Sequence, residues 1–190
     1  MNNLNKILAS IAFLFSLVIY IWTMAPTTSF WDCGEFIATS VIMGVPHPPG
    51  TPFYLLLGNF FSQLPIFSDI GARVNLISPI FSALAVMFLY LIIVQLIEEW
   101  FGEAKSWPDY LITSGSALIG ALTFAFTDSH WFNAVEAEVY AMATLILSVL
   151  FWLGLKWADD FENERANKWL ILISFVVGLS FGVHFMGLLA

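Results

Sequence analysis

Residues 7–24 form a long, uncharged, mostly apolar run, and four more largely apolar runs follow at 72–97, 108–127, 139–158 and 169–190. A helix of about 20 apolar residues crosses the hydrocarbon core of a bilayer. Inside lipid a backbone must satisfy its own N–H and C=O groups, so such runs can only be helices or closed barrels, and unbroken apolarity without period-2 alternation selects helices. The sequence therefore predicts an all-α, polytopic membrane protein with about five transmembrane helices. Composition agrees: 59% of the 190 residues are hydrophobic, only 11% are charged, and mean hydropathy is +0.85. A soluble domain is about one quarter charged. The net charge of −8 offers no basic patch for nucleic acid. The single cysteine, Cys33, excludes an internal disulfide framework and a CxxC metal site.

The stretch between the first two runs, residues 25–71, is not a simple loop. Residues 34–45 and 53–64 read as two short helices separated by His47-Pro-Pro-Gly-Thr-Pro52, because proline removes backbone donors and restricts the residue before it. The second would be about 18 Å long, too short to span, and the pair is expected to lie at the membrane surface. The first run has no small-x-small cleavage site before the acidic stretch and reads as an uncleaved span. With the N-terminus inside, Lys6, Lys105, Lys156, Arg165 and Lys168 fall on the cytoplasmic side and Arg73 outside. The carboxylates and histidines of 32–47 and 128–138 then share the extracytoplasmic side. The run ending at Ala190 has no polar terminus, and residues 1–190 read as the N-terminal part of a longer membrane domain.

Two acidic clusters on that side could carry chemistry. Asp32 and Glu35 are three residues apart, on one face if helical. A carboxylate there could act as a general base or bind a divalent cation that neutralises phosphate; it could equally cap the helix that starts near Cys33, since Asp32-x-x-Glu35 has capping-box spacing. Glu136 and Glu138 form the second cluster. Asn133 before Glu136 is another capping arrangement, whereas Glu138 at the mouth of the fourth span calls for a partner, either Arg73 or a metal. His47, His130 and His184 lie among these carboxylates without the spacing of a zinc motif. Arg73 could pair with Asp69 or hold a lipid phosphate.

Trp31-Asp-Cys-Gly-Glu35, Gly44-Val-Pro-His-Pro-Pro-Gly50, Arg73-Val-Asn-Leu-Ile-Ser78 and Ala134-Val-Glu-Ala-Glu-Val-Tyr140 resemble, in order along the chain, a membrane family abundant in Bacteroidetes-type bacteria. That family also includes an animal endoplasmic-reticulum protein O-mannosyltransferase acting on plexin-type domains, and it looks like the GT-C glycosyltransferases. The resemblance implies a sugar donor on a polyprenyl phosphate and a Ser or Thr acceptor on an exported protein. It implies Asp32 as catalytic base supported by Glu35, and His47, Arg73 and His130 as donor-phosphate contacts. Glu136 and Glu138 would hold a divalent cation, Mg or Mn, where one is used. The expected location is a bacterial inner membrane with the site facing the periplasm. Two other readings stay open: a non-catalytic membrane subunit that docks a lipid or partner, and a transporter whose broken segment at 46–52 lines a pathway.

Overall fold

The computed structural model describes residues 3–185, and these are all-helical, without strands. Nine helices follow in order: α1 (Asn3–Thr23), α2 (Cys33–Ile42), α3 (Pro52–Ser62), α4 (Ile70–Asn75), α5 (Ile77–Phe101), α6 (Trp107–Ala125), α7 (Asp128–Ala134), α8 (Val139–Asp159) and α9 (Asn167–Ser180). Three stretches among the described residues are long and apolar enough to cross a membrane: Asn3–Thr23, Ile70–Phe101 and Val139–Asp159. A fourth arises if α6 and α7, bent by 68° to each other, count as one broken span. The protein is an integral membrane protein. The expected count of five spans narrows to three or four here, because α9 has only 14 residues and residues 186–190 of the last run lie outside the described residues.

α5 is the central post, packed against α1, α6 and α8, while α9 packs on α8. Lipid is as apolar as the helices, so their association depends on close fit rather than on hydrophobic burial. Small side chains supply that fit: Ala9 and Ala12 of α1, Ala83 of α5, and Ala117, Ala121 and Ala125 of α6 are buried. Polar ties reinforce it. Tyr90 and Ser114 both donate to Asn5 Oδ1, at 3.0 and 2.8 Å, joining α5 and α6 to the start of α1. Tyr20 donates to the Ala125 carbonyl at 2.7 Å. The opposite face of α1 carries exposed Ile7, Ile11, Leu14, Phe15 and Val18, the side suited to lipid.

The two expected short helices are α2 and α3, within one to three residues of the anticipated limits. They cross closely at Gly58, where a methyl group would collide with Ser40. Two features differ from the sequence reading. Residues 70–75 form a separate short helix, α4, N-capped by Asp69, which accepts from the Ala72 N–H at 3.1 Å. The expected polar loop 128–138 is helical over Asp128–Ala134, with only 135–138 non-helical.

Candidate functional site at one end of the bundle

Asn75 assembles the site. Its side-chain amide donates to the carbonyls of Ala25 and Thr27, each at 2.9 Å, and its Oδ1 accepts from the Ala137 N–H at 3.0 Å. The Cys33 thiol donates to the same oxygen at 3.6 Å. The Ala25 N–H donates to the Val135 carbonyl at 2.8 Å, and the Ser78 hydroxyl accepts from the Glu138 N–H at 3.5 Å. One buried amide thus ties the exit of α1, the start of α2 and the 135–138 connection together. The two acidic clusters, about a hundred residues apart in sequence, meet there.

Each carboxylate has a different environment. Asp32 occupies the N-cap position of α2, yet its φ of −81° and ψ of −3° are helical and its side chain makes no capping bond. The carboxylate is therefore exposed and available. Trp31, before it, adopts a left-handed φ of 57°, a conformation that costs a non-glycine residue about 1–2 kcal/mol. Strain of this kind persists only where surrounding contacts impose it.

Glu35 is held from both sides by His47. Its Oε1 accepts from the His47 backbone N–H at 2.7 Å, and its Oε2 lies 2.8 Å from the His47 Nδ1. The ring hydrogen bond to His47 holds the Glu35 carboxyl below its usual range. The same bond raises the imidazole pKa, with smaller help from the charges of Glu35, Asp32 and Glu138.

Glu136 and Glu138 are buried, 1% and 5% exposed, and Glu136 Oε1 accepts no hydrogen bond. The capping arrangement expected of Asn133 and Glu136 is not realised. Asn133 donates back to the Ser129 carbonyl within α7, and Glu138, the N-cap residue of α8, makes no side-chain cap. Burial first, then the charges of Asp32 and Glu136, push the Glu138 carboxyl up to about 7. Tyr54 lies fully buried nearby, its hydroxyl unpartnered and its pKa raised well above the ordinary value, by burial first and then by the charges of Glu138 and Cys33.

None of the main influences on the Glu35, His47 and Glu138 pKa values comes from a lysine or arginine. The cluster is thus rich in carboxylate with one imidazole to offset it. Among the described residues, Asp32, Glu35 and His47 are the one set of three such groups whose ligand atoms gather within 4.8 Å. That oxygen-rich donor set with one imidazole suits a hard divalent cation. Glu136 and Glu138, the expected metal pair, lie outside this set.

The remaining expected site residues lie elsewhere. Arg73 donates to the carbonyls of Phe67, Ser62 and Ser68 at 2.7, 3.1 and 3.5 Å, fastening the α3–α4 connection. His130 is buried against Phe124 and Tyr20, with ring centroids 4.3 and 6.1 Å apart. It lines a separate cavity of about 240 Å³ with Asn133 and Tyr140. His184 packs on Tyr140 at 5.2 Å. The sequence reading gave no site role to Asn75, Tyr54 or Ser78, although Asn75 and Ser78 lie in the quoted stretch Arg73–Ser78. The available signal was polar side chains in otherwise apolar helical stretches.

The fold and this site define a polytopic, all-helical membrane protein with an acidic, histidine-containing centre at one end of its bundle. The chain belongs to the family described as the protein O-mannosyl-transferase TMEM260 N-terminal domain, whose model matches residues 32–190. It is 28% identical over 155 residues to protein O-mannosyl-transferase tmem260 of Dictyostelium discoideum, covering 79% of this chain and 17% of the relative. It is 26% identical over 174 residues to protein O-mannosyl-transferase TMEM260 of Mus musculus, covering 92% of this chain and 22% of the relative. The chain therefore spans about a fifth of the length of these curated relatives. No solved structure matches it.

Proposed function

We propose that this chain carries the acceptor-activating part of a membrane glycosyltransferase that moves a sugar from a polyprenyl-phosphate donor to a Ser or Thr hydroxyl of an exported protein. The observation that carries the reading is the convergence of Asp32, Glu35 and His47 with Glu136 and Glu138 around Asn75. The relatives' names supply the transfer of a mannosyl group to protein oxygen. The positive residues favour an extracytoplasmic site, which would be the periplasmic face in the bacterial inner membrane that the family resemblance implies.

Asp32 is the base. Its exposed carboxylate takes the acceptor hydroxyl proton as the hydroxyl oxygen bonds to the anomeric carbon. The bond from that carbon to the phosphate oxygen breaks, and the lipid phosphate leaves with the electron pair. Glu35 holds the His47 ring through its Nδ1 and favours the imidazolium, a cation suited to the leaving phosphate. Arg73 keeps the α3–α4 connection in place, since its three donor contacts all go to main-chain carbonyls. Glu138, kept largely neutral below about pH 7, can donate a hydrogen bond to the sugar or phosphate. A divalent cation, Mg or Mn, would be an alternative to the imidazolium: with His47 neutral, Glu35, His47 and Asp32 would hold it and it would supply the positive charge for the phosphate.

The test compares sugar transfer to exported acceptor proteins by wild type and Asp32→Asn in membranes supplied with a polyprenyl-phosphate sugar, at matched insertion. The reading expects a loss of about a hundredfold or more, the scale of removing a general base. Equal transfer by both would remove Asp32 from this role.

A further inference from the structure

At the end of the bundle opposite the acidic site, the C-terminal turns of α5 and α8 line a half-open cavity of about 290 Å³. Its polar lining is Gln95, Glu98, Glu99, Glu103, Lys156 and Asp159. Four carboxylates thus face a single ammonium, and that ammonium is already bound to Asp159 at 3.0 Å. The Gln95 amide donates to Asp159 Oδ2 at 2.9 Å and Glu99 Oε1 at 3.3 Å. Its own Oε1 is buried and accepts nothing, on a residue only 9% exposed. Two helix C-termini add partial negative charge at the same place.

The lining therefore offers mostly acceptors and a net negative charge, with its one ammonium paired to Asp159. We infer that this cavity binds a cationic group with several N–H donors, an ammonium or a guanidinium. A bare metal ion fits less well. Among the described residues no three of these carboxylates gather within 4.8 Å, whereas a donor-rich organic cation reaches acceptors spread over a wider space. The two sources of that chemistry are a free polyamine and a basic side chain of a partner protein. Neither bears on the transfer chemistry at the other end of the molecule.

The experiment is a calorimetric titration of the purified protein in phosphatidylcholine nanodiscs at low salt, with spermidine and separately with a tetralysine peptide, against empty nanodiscs. The expected result is saturable binding of at least one probe, weakened about tenfold or more by the pair Glu98→Gln and Glu103→Gln. The pair Glu162→Gln and Glu164→Gln, outside the cavity, should leave the affinity unchanged. Glu98 is half-buried and Glu103 exposed, so neither substitution removes core packing. Should the first pair insert poorly, Glu99→Gln gives the same readout. Binding of spermidine alone identifies a free polyamine, and binding of the peptide alone a basic protein segment. No saturable binding of either probe, or equal weakening by the two pairs, overturns the inference.

Discussion

The chemistry of the site depends on two residues with opposed environments. Glu35 and His47 form a bonded pair at the surface, so the Glu35 pKa is lowered and the His47 pKa raised. The carboxylate's contribution is present above its ordinary value of 4.5 and is lost as pH falls through the lowered one. The imidazole's contribution is full below 6.5 and is lost as pH rises through the raised one. Glu35→Gln should therefore lower the titration midpoint of His47, readable from its ring resonances by NMR. A midpoint that does not move would mean the pair does not form. Glu138 has the sign opposite to that of Glu35. Its pKa is raised from 4.5 to about 7, so the stability it contributes is full below 4.5 and is lost as pH rises through about 7. Wild type should lose about 3 kcal/mol from this group between those limits. Glu138→Gln should flatten that part of the stability–pH curve, measured by thermal unfolding in detergent.

At the scale of elements, side-chain fit at two points fixes where the short helices lie. A methyl on Gly58 would collide with Ser40, so Gly58→Ala should cost about 1–3 kcal/mol, the scale of overpacking a tight contact. Ser40→Gly in the same chain should recover most of it. Asn75→Ala would break bonds to Ala25, Thr27 and Ala137 at once. The expected cost is about 3 kcal/mol from stranded buried polar groups, with sugar transfer falling alongside thermal stability. α1, α5 and α8 were legible in the sequence because apolar runs of this length have one outcome in lipid. The proline-broken pair α2 and α3 was legible for a local reason, the loss of backbone donors at 46–52. α7 was not, because its polar residues read as a loop, although Thr127 followed by Asp128 is a helix-start signal at the bend. α4 was hidden because it straddles the expected boundary, its residues 72–75 reading as the beginning of a span.

Across the whole molecule, the acidic site and the proposed cation cavity lie at opposite ends of one bundle. α8 runs from Glu138 at the acidic site to Asp159 at the cation cavity, about 32 Å for its 21 residues. The candidate carboxylates, Asp32, Glu35, Glu136 and Glu138, were visible in the sequence by their chemical type. Their meeting was not visible, because it depends on a single buried amide, Asn75, that no local pattern marks as a junction. The role of Arg73 was equally hidden, since only the folded α3–α4 connection brings three carbonyls to its guanidinium. The central claim is that two distant acidic motifs form one transfer site, and a double-mutant cycle addresses it directly. Sugar transfer would be measured for wild type, Asp32→Asn, Glu138→Gln and the double variant at matched insertion. One shared site predicts that the double variant loses much less than the product of the two single losses. Losses that simply multiply would mean that Asp32 and Glu138 act independently, and would contradict the account.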